Sequence, residues 1–591
     1  MNAKFNDDIN KRKNNLIEYN KTANIITAFK MAFFIFICYT SYNLYSNDYS
    51  HKVMLLLIAE IVIFIIACLY HKTTYDQIHR EEGIIEIDKA NMKRYLGEWS
   101  TFEDIGEEFI DYDHEYATDL DIIGKNSIFQ MINTTATYYG RNKFAKDLLK
   151  PDFSEKDLKH RHDAITELCN KYEFSVEAEY AFSLIGVDSS FPSLIEELKD
   201  NKRFIKSKVL KFIFKISSIA TCISTLYSIL TLNNISLVIT NCLIIVQILL
   251  WLIGYLKANR YVGVMKKLSH KISKYDNVIE HIINEDFESE KLIEINKSLK
   301  MAKVGIKELS KIASNINQRN NGAVCIIFNV LFLWDYKNAI DLDNWKQKYG
   351  NLVEDWFNTL GEVESLMSFA NLPRVCKNTS LPILEYENNI IEATNLGHPL
   401  ISNDKRICND FTLDKNIYII SGSNMSGKTT FMRTVGINMV LASAGSYVCA
   451  NSMYFSKMKV ITSMRIRDDL SGGISTFYAE LKRIKKIVDL SKKEPHTLFL
   501  IDEIFRGTNS IDRLKGAQGV LRELSKSHVS GMITTHDLEV CNLEKENPNI
   551  INCSFNEHYT DGEIYFDYKL KKGRSQTTNA EYLLRKVGIL C

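Results

Sequence analysis

Around residue 425 the chain has few conformational choices. An apolar run, Ile417-Tyr-Ile-Ile420, leads into Gly422-Ser-Asn-Met-Ser-Gly-Lys-Thr-Thr430, and a segment of helical character follows. Glycines let the backbone turn tightly so that successive N–H groups face one point, and the following helix adds the positive end of its dipole. A strand, a tight loop and a helix in that order satisfy the pattern, and their concave face suits a phosphate chain. Gly422, Ser423, Asn424, Met425, Ser426, Gly427, Lys428, Thr429 and Thr430 are therefore the expected ATP-binding residues. Lys428 is placed to reach the β- and γ-phosphates, and the Thr429 hydroxyl to ligate Mg²⁺.

Two further segments fit the same site. The apolar strand Thr497-Leu-Phe-Leu-Ile501 delivers Asp502-Glu503 at its end, where a parallel sheet places catalytic residues. Asp502 is suited to hold Mg²⁺ and Glu503 to polarise an attacking water, because phosphoryl transfer needs chiefly positioning and charge neutralisation. Such a pair after an apolar run is, on its own, more often a solvated strand end. A third strand, Val529–Thr535, ends at His536, suited to sense the γ-phosphate; a lone strand-end histidine is usually structural, and the order of the three motifs favours function. Between the first two motifs lies Asp468-Asp-Leu-Ser-Gly-Gly-Ile-Ser-Thr-Phe-Tyr-Ala-Glu480, whose Ser-Gly-Gly-Ile-Ser segment before a helix forms another anion-binding N-terminus. One loop already cradles the phosphates, so a second donor set implies closure by another subunit, in a homodimer with composite sites.

Four segments approach the length needed to cross a bilayer: about 26–45, 53–70, 212–232 and 235–256. They form two hairpins whose turns are too short to hold a domain. Lys4, Lys11, Arg12, Lys13 and Lys21 precede the first; Lys199, Lys202, Arg203, Lys206, Lys208 and Lys211 precede the second; Lys257, Arg260, Lys266 and Lys267 follow it. The positive-inside tendency predicts in-out-in hairpins in a multi-pass membrane protein, with the nucleotide domain and both termini cytoplasmic. The alternative is a set of buried core helices. Lys30 and Lys215 lie near span ends, where they can snorkel. No small-residue cleavage site follows the first span, so a cleaved leader is not expected. Glu60, midway along the second segment, is read as a helix-packed carboxyl in preference to an ion path.

A net charge of +1 leaves no uniform field for a polyanion, so a nucleic acid would need a local patch such as Lys482, Arg483, Lys485 and Lys486. Twelve cysteines without a Cys-x-x-Cys pair argue against zinc or a disulfide framework. Residues 85–200 read as helical, and apolar faces through Leu268, Ile272, Tyr275, Ile279, Ile282 and Ile283, then Leu292, Ile295, Leu299, Leu309, Ile312 and Ile316, predict long packed arms. The apolar run 324–334 is too short to span a bilayer and is expected as a buried helix.

The motifs 423–430, Ser-Thr-Phe-Tyr-Ala-Glu (475–480), Asp-Glu-Ile-Phe-Arg-Gly-Thr-Asn-Ser (502–510) and Thr-Thr-His (534–536) together resemble the ATPase of the MutS DNA mismatch repair family. Ala393-Thr-Asn-Leu-Gly-His-Pro-Leu400 with Asn409-Asp410, and more weakly Asn126–Leu168, are similar to segments upstream of it. The resemblance implies an α/β P-loop ATPase of ABC type at the C-terminus, joined to a long-helix core and lever domain, to which the apolar segments add two transmembrane helical hairpins. It implies a dimer in which Ser475 closes the partner's site, with Glu503 and His536 as the other catalytic residues, Thr429 and Asp502 as metal ligands, and turnover coupled to DNA. The expected domains are an N-terminal segment with the first hairpin (1–80), helical core (81–211), second hairpin (212–256), lever (257–372) and ATPase (373–591). Residues 1–100 hold a hairpin where the family's mismatch-reading part would stand, and Arg406 occupies the place of an aromatic that stacks on adenine; a guanidinium can stack as well. Two functions compete. The first is a membrane-anchored ATPase that binds DNA; the second is an ATP-driven membrane machine without DNA, its levers ending in the bilayer.

Overall fold

The computed structural model describes residues 2–46, 51–200, 202–231, 233–318, 322–385, 389–465, 476–505, 509–527, 529–560 and 563–575. Helices α1 (Asn2–Ser46) and α2 (His51–Leu96) form the first hairpin and both outrun their apolar segments. Past Tyr70, α2 continues without a break and buries Ile78, Ile84, Ile85, Asp88 and Arg94 in the helical core. Arg12 of α1 reaches Glu81 at 3.4 Å and Asp88 at 3.5 Å, which locks the two polar ends together. Glu60 is buried between the helices and accepts a 3.0 Å hydrogen bond from Thr40, the packed arrangement expected of it. Lys30 meets His71 at 2.7 Å.

The predicted helix over 85–200 stops at Leu96 and resumes at α3 (Ile128–Ile132). Gly97, Gly106 and Gly124, with Asp121 and Asn126, all take positive φ, which an α-helix cannot contain. The irregular stretch carries the chain under the C-terminal domain. Then come α4 (Tyr138–Leu149), α5 (Glu155–Asn170), α6 (Tyr172–Ser183) and α7 (Phe191–Lys199).

The second hairpin is α8 (Lys208–Thr231) and α9 (Asn234–Ile283). Ser224 and Ser228 meet Thr240 at 2.6 and 2.8 Å, and Gln247 donates to Thr221 at 3.1 Å, the small-polar contacts that hold helices together in an apolar solvent. The 50-residue α9 then runs unbroken into the core, where Val262, Ile272, Tyr275, Ile279 and Ile282 are buried. It pairs with α10 (Glu290–Asn317), whose predicted face of Leu292, Ile295, Leu299, Leu309, Ile312 and Ile316 is buried. Among the described residues, four helices are long and apolar enough to cross a membrane. Their apolar side chains are largely exposed, Leu55 by 67% and Leu226 by 61%, which removes the buried-core alternative.

The run expected as a buried helix is α11 (Gly322–Phe332), and it is not buried: Ile326 and Ile327 are 55% and 54% exposed. Its inner face packs on α8 and α9, and its outer face is exposed. Helices α12 (Trp334–Tyr349), α13 (Val353–Ala370) and α14 (Leu372–Val375) complete the core. Buried Asp343 of α12 clamps the base of the second hairpin, accepting from the Phe204 N–H at 3.0 Å and from the Tyr261 hydroxyl, with Lys211 at 3.6 Å.

In the C-terminal domain β1 (Ile383–Leu384), β2 (Ile390–Leu396), β3 (Asn409–Asp414), β4 (Ile417–Ser421), α15 (Lys428–Ser443), β5 (Ser452–Phe455), β6 (Lys459–Ser463), α16 (Thr476–Lys493), β7 (Thr497–Asp502), α17 (Ser510–Ser525), β8 (Ser530–Thr535), β9 (Ile550–Thr560) and β10 (Glu563–Lys572) follow in order. The larger sheet runs β10-β9-β4-β8-β7-β6, parallel except at β10. Its central strands β4, β8 and β7 are buried almost throughout because both faces are covered, by α15 and the helical core on one side and by α16 and α17 on the other.

Candidate functional site

The carboxyl ends of β4, β7 and β8 lie side by side, so the three motifs meet. Gly422 and Gly427 take φ of +150° and +105°, and a Cβ at Gly422 would stand 2.6 Å from the Phe555 carbonyl oxygen. Only glycine fits that close approach. Between them Met425 is exposed, while the Ser426 hydroxyl is buried without a hydrogen-bond partner among the described residues. Lys428 opens α15, folded back so that Nζ donates to the carbonyl oxygens of Gly422 and Ser423, both at 2.8 Å. Ser423 donates to the Glu557 carboxylate.

A hydrogen-bonded chain joins the other candidates. The Thr429 hydroxyl donates to the Asp502 carboxylate at 2.9 Å, and Thr534 donates to the same group at 2.6 Å. The Glu503 N–H donates to Thr534 at 2.9 Å, and its carboxylate sits 2.7 Å from His536 Nε2. Glu503 and Phe505 hold positive φ, 49° and 62°, strain of the kind that persists where surrounding structure over-determines it. Buried Glu480 of α16 fixes that turn by accepting the Phe505 N–H.

A cavity of about 550 Å³ opens beside these groups, lined among others by Asn424, Lys428, Thr429, Thr430, Glu503 and Tyr568. That volume lies within the range of small-molecule and cofactor sites. A buried hydroxyl unpartnered among the described residues, a glycine cradle and a lysine folded back onto loop carbonyls fit a polyphosphate. His398 borders the cavity, and burial, aided by Arg433 and Arg406, pushes its imidazole down to about 3, so it is uncharged at neutral pH.

Two expectations change, and a third falls outside the described residues. Arg406 does not line the cavity: its guanidinium donates to the carbonyl oxygens of Ile401 at 2.7 Å and Pro399 at 3.2 Å, and backbone carbonyls hold it away from an adenine. Ile407 and Tyr568 stand there instead, Tyr568 with its ring 3.0 Å from the Cβ position of Gly427. Tyr568 comes from β10, far along the chain, and carried no signal in the motifs. Arg483 is likewise withdrawn from the basic patch, donating to the carbonyl oxygens of Thr462 at 2.8 Å and His114 at 2.7 Å. Ser475 lies outside the described residues, as do 466–474 and 506–508.

Sequence reasoning also missed how the irregular stretch before α3 grips the site. Asp119 accepts from the N–H groups of Met464 at 3.0 Å and Arg465 at 3.1 Å. Asp121 pairs with Arg465 at 2.7 Å and with Arg433 of α15 at 3.1 Å.

Residues 418–584 match the family model of MutS domain V. Relatives include proteins named DNA mismatch repair protein MutS from Staphylococcus aureus strains JH9, Newman and N315. Each is 28% identical over 249 residues, which cover 40% of this chain and 28% of the relative. The chain thus spans 28% of the length of the relatives it matches. On its motifs, its sheet and this match, residues 418–584 are similar to MutS domain V, and the chain's resemblance to the MutS family is divergent and partial.

Proposed function

We propose that this protein is a membrane-anchored ATPase that works as a homodimer and drives the helices ending in its two hairpins. The observation that carries the proposal is the unbroken hydrogen-bonded chain Thr429–Asp502–Thr534–Glu503–His536 at the mouth of the cavity. In this reading Lys428 exchanges its carbonyl partners for the β- and γ-phosphates, and loop N–H groups with the Ser426 hydroxyl complete the cradle. Glu503 accepts a proton from the attacking water, with His536 holding its carboxylate in place and reporting on the γ-phosphate. Thr429 and Asp502 would hold Mg²⁺, which supplies neutralisation of the charge on the transferring phosphoryl group. Ser475 of a second copy closes the site.

The route from this site to the hairpins is continuous. The last turn of α15 gives the Ala444 carbonyl oxygen to Arg161 of α5 at 2.9 Å. Farther along α5, Glu167 accepts from the N–H groups of Glu288 and Ser289 at 2.9 and 2.8 Å, at the tip where α9 turns into α10. From there α9 reaches the second hairpin as one rod. The charge pattern supports hairpins entering from the cytoplasm, with ATPase domain and termini on that side.

A second reading, coupling to DNA, draws on the family relationship and on Lys482, Lys485, Lys486 and Lys493, which line a groove on α16. Lys486 is partly neutralised by Glu115 at 3.4 Å. The test is ATP hydrolysis by the purified full chain in detergent, with homoduplex, mismatched and branched DNA across a salt series. Mg²⁺-dependent turnover is expected. Stimulation by DNA that fades with salt favours the second reading; turnover indifferent to every DNA favours the membrane reading; no turnover under any condition contradicts both.

A further inference from the structure

The outer face of α11 belongs to neither the core nor the nucleotide site. From Gly322 to Trp334 the sequence has no charged side chain, and its lone strongly polar residue is Asn329. Asn329 is fully buried and satisfied within the segment: its Nδ2 donates to the Cys325 carbonyl oxygen at 2.9 Å and its Oδ1 accepts the Asp335 N–H at 3.0 Å. That leaves Ile326, Ile327 and Phe332 outward, 55%, 54% and 40% exposed. An apolar face with its polar groups tied internally is what a hydrocarbon solvent requires.

The packing fixes its depth. Trp251, Tyr255, Tyr336 and Phe214 gather at one level of the second hairpin, with Trp251 donating to Asp335 at 3.2 Å and Tyr336 to the Leu250 carbonyl oxygen at 2.9 Å. Lys337 lies 4.9 Å from the Trp334 ring centroid. Aromatic rings with a neighbouring lysine are the composition of a membrane–water boundary. The end of α11 lies beyond that level: the Cys222 thiol, near the middle of the apolar run 212–232, meets the Leu331 carbonyl oxygen at 3.5 Å. Its exposed face continues the exposed apolar faces of α8 and α9, such as Ile219, Leu226 and Leu249.

We infer that α11 is a membrane-embedded half-helix, a third element of the second hairpin, whose outer face is covered by the acyl chains of one leaflet. Eleven residues give about 16 Å of helix, roughly half of a hydrocarbon core of about 30 Å, so it enters and returns. α10 climbs to the boundary, α11 enters, and α12 descends to Asp343 in the cytoplasmic clamp. The inference rests on reading α8 and α9 as membrane spans.

The test places a photoreactive benzoylphenylalanine at Ile326 or Ile327 of the full chain in phosphatidylcholine vesicles. Leu226 of α8 serves as the span reference, and Met301 of α10, 70% exposed, as the reference outside the bilayer. All four side chains are exposed, so the substitutions spare the core. Lipid adducts are expected at 326, 327 and 226 and none at 301. Lipid adducts at 226 with only protein cross-links, or none, at 326 and 327 overturn the half-helix and assign its face to a second copy or to water. Loss of lipid adducts at 226 as well overturns the membrane reading itself, and the half-helix with it.

Discussion

The walls of the cavity beside Lys428 and the outer faces of the hairpins come from one chain under different rules. At the cavity a few polar atoms meet within hydrogen-bonding reach, and glycines and strained turns at Gly422, Gly427 and Glu503 bring them there. On the hairpins the outward side chains are apolar, and what matters is composition and length. On the proposed function the contrast says where single substitutions bite: activity at the cavity would be concentrated in a few groups, whereas membrane attachment would be spread over many. The clamp at Asp343 lies between, a single polar hub holding an apolar unit to the engine.

The sharpest way to break the contrast is at the cavity. Replacing Glu503 with Gln is expected to lower kcat about 10²- to 10⁴-fold, the usual contribution of a general base, while ATP stays bound and the dimer persists. Unchanged turnover refutes the role given to Glu503. Lys428→Ala is expected to abolish nucleotide binding, measured by calorimetry on the full chain.

Next in size is the clamp. Asp343→Ala leaves Lys211 and the Phe204 N–H without their acceptor, and losing one partner of a buried pair costs about 3–5 kcal/mol. Chemical denaturation in detergent reads this; a loss under about 1 kcal/mol would mean that apolar packing alone seats the hairpin.

A smaller, pH-dependent effect sharpens the same comparison inside the helical core. Burial pushes the Glu364 carboxyl up from 4.5 to about 7, opposed by hydrogen bonds from Thr137 and Ala136. A raised acid prefers its proton in the folded state, so its stabilisation is complete below pH 4.5 and is lost as pH rises towards 7. The loss amounts to about 3 kcal/mol. Glu364→Gln should flatten the fall in Tm across that window; an identical pH profile in the variant would count against it.

The smallest effect is expected between α8 and α9. Gln247→Leu removes one hydrogen bond to Thr221 and should cost about 0.6 kcal/mol, typical of polar contacts between membrane helices. A cost of several kcal/mol would mark Gln247 as part of a polar site rather than helix glue.

These scales also explain what the sequence disclosed. The loop 422–430, Asp502-Glu503 and His536 were legible because their backbone and charge requirements admit few residue types, and parallel strands deliver them to one edge. Ser475 was named on resemblance and lies outside the described residues. Tyr568 was illegible because β10 brings it in from far along the chain. Arg406 misled because motif position says nothing of nearby carbonyls, and those of Pro399 and Ile401 claim its guanidinium. The four long apolar helices were plain in hydropathy. The run 324–334 was not, since a short apolar stretch reads alike for core and membrane until its outer face is seen. The break between Leu96 and Ile128 hid because apolar spacing continues through it while three glycines turn the backbone.

The central claim is that ATP at the cavity moves the second hairpin. Its most direct measurement is the distance between spin labels at Ile235, exposed at the hairpin turn, in the two protomers of Glu503→Gln in vesicles, with the exposed Cys38 and Cys242 replaced. A changed distance is expected on adding ATP with Mg²⁺, and no change when Lys428→Ala is added to the same protein. An unchanged distance, while the ATPase domains demonstrably close on nucleotide, would contradict it and leave the hairpins as anchors only.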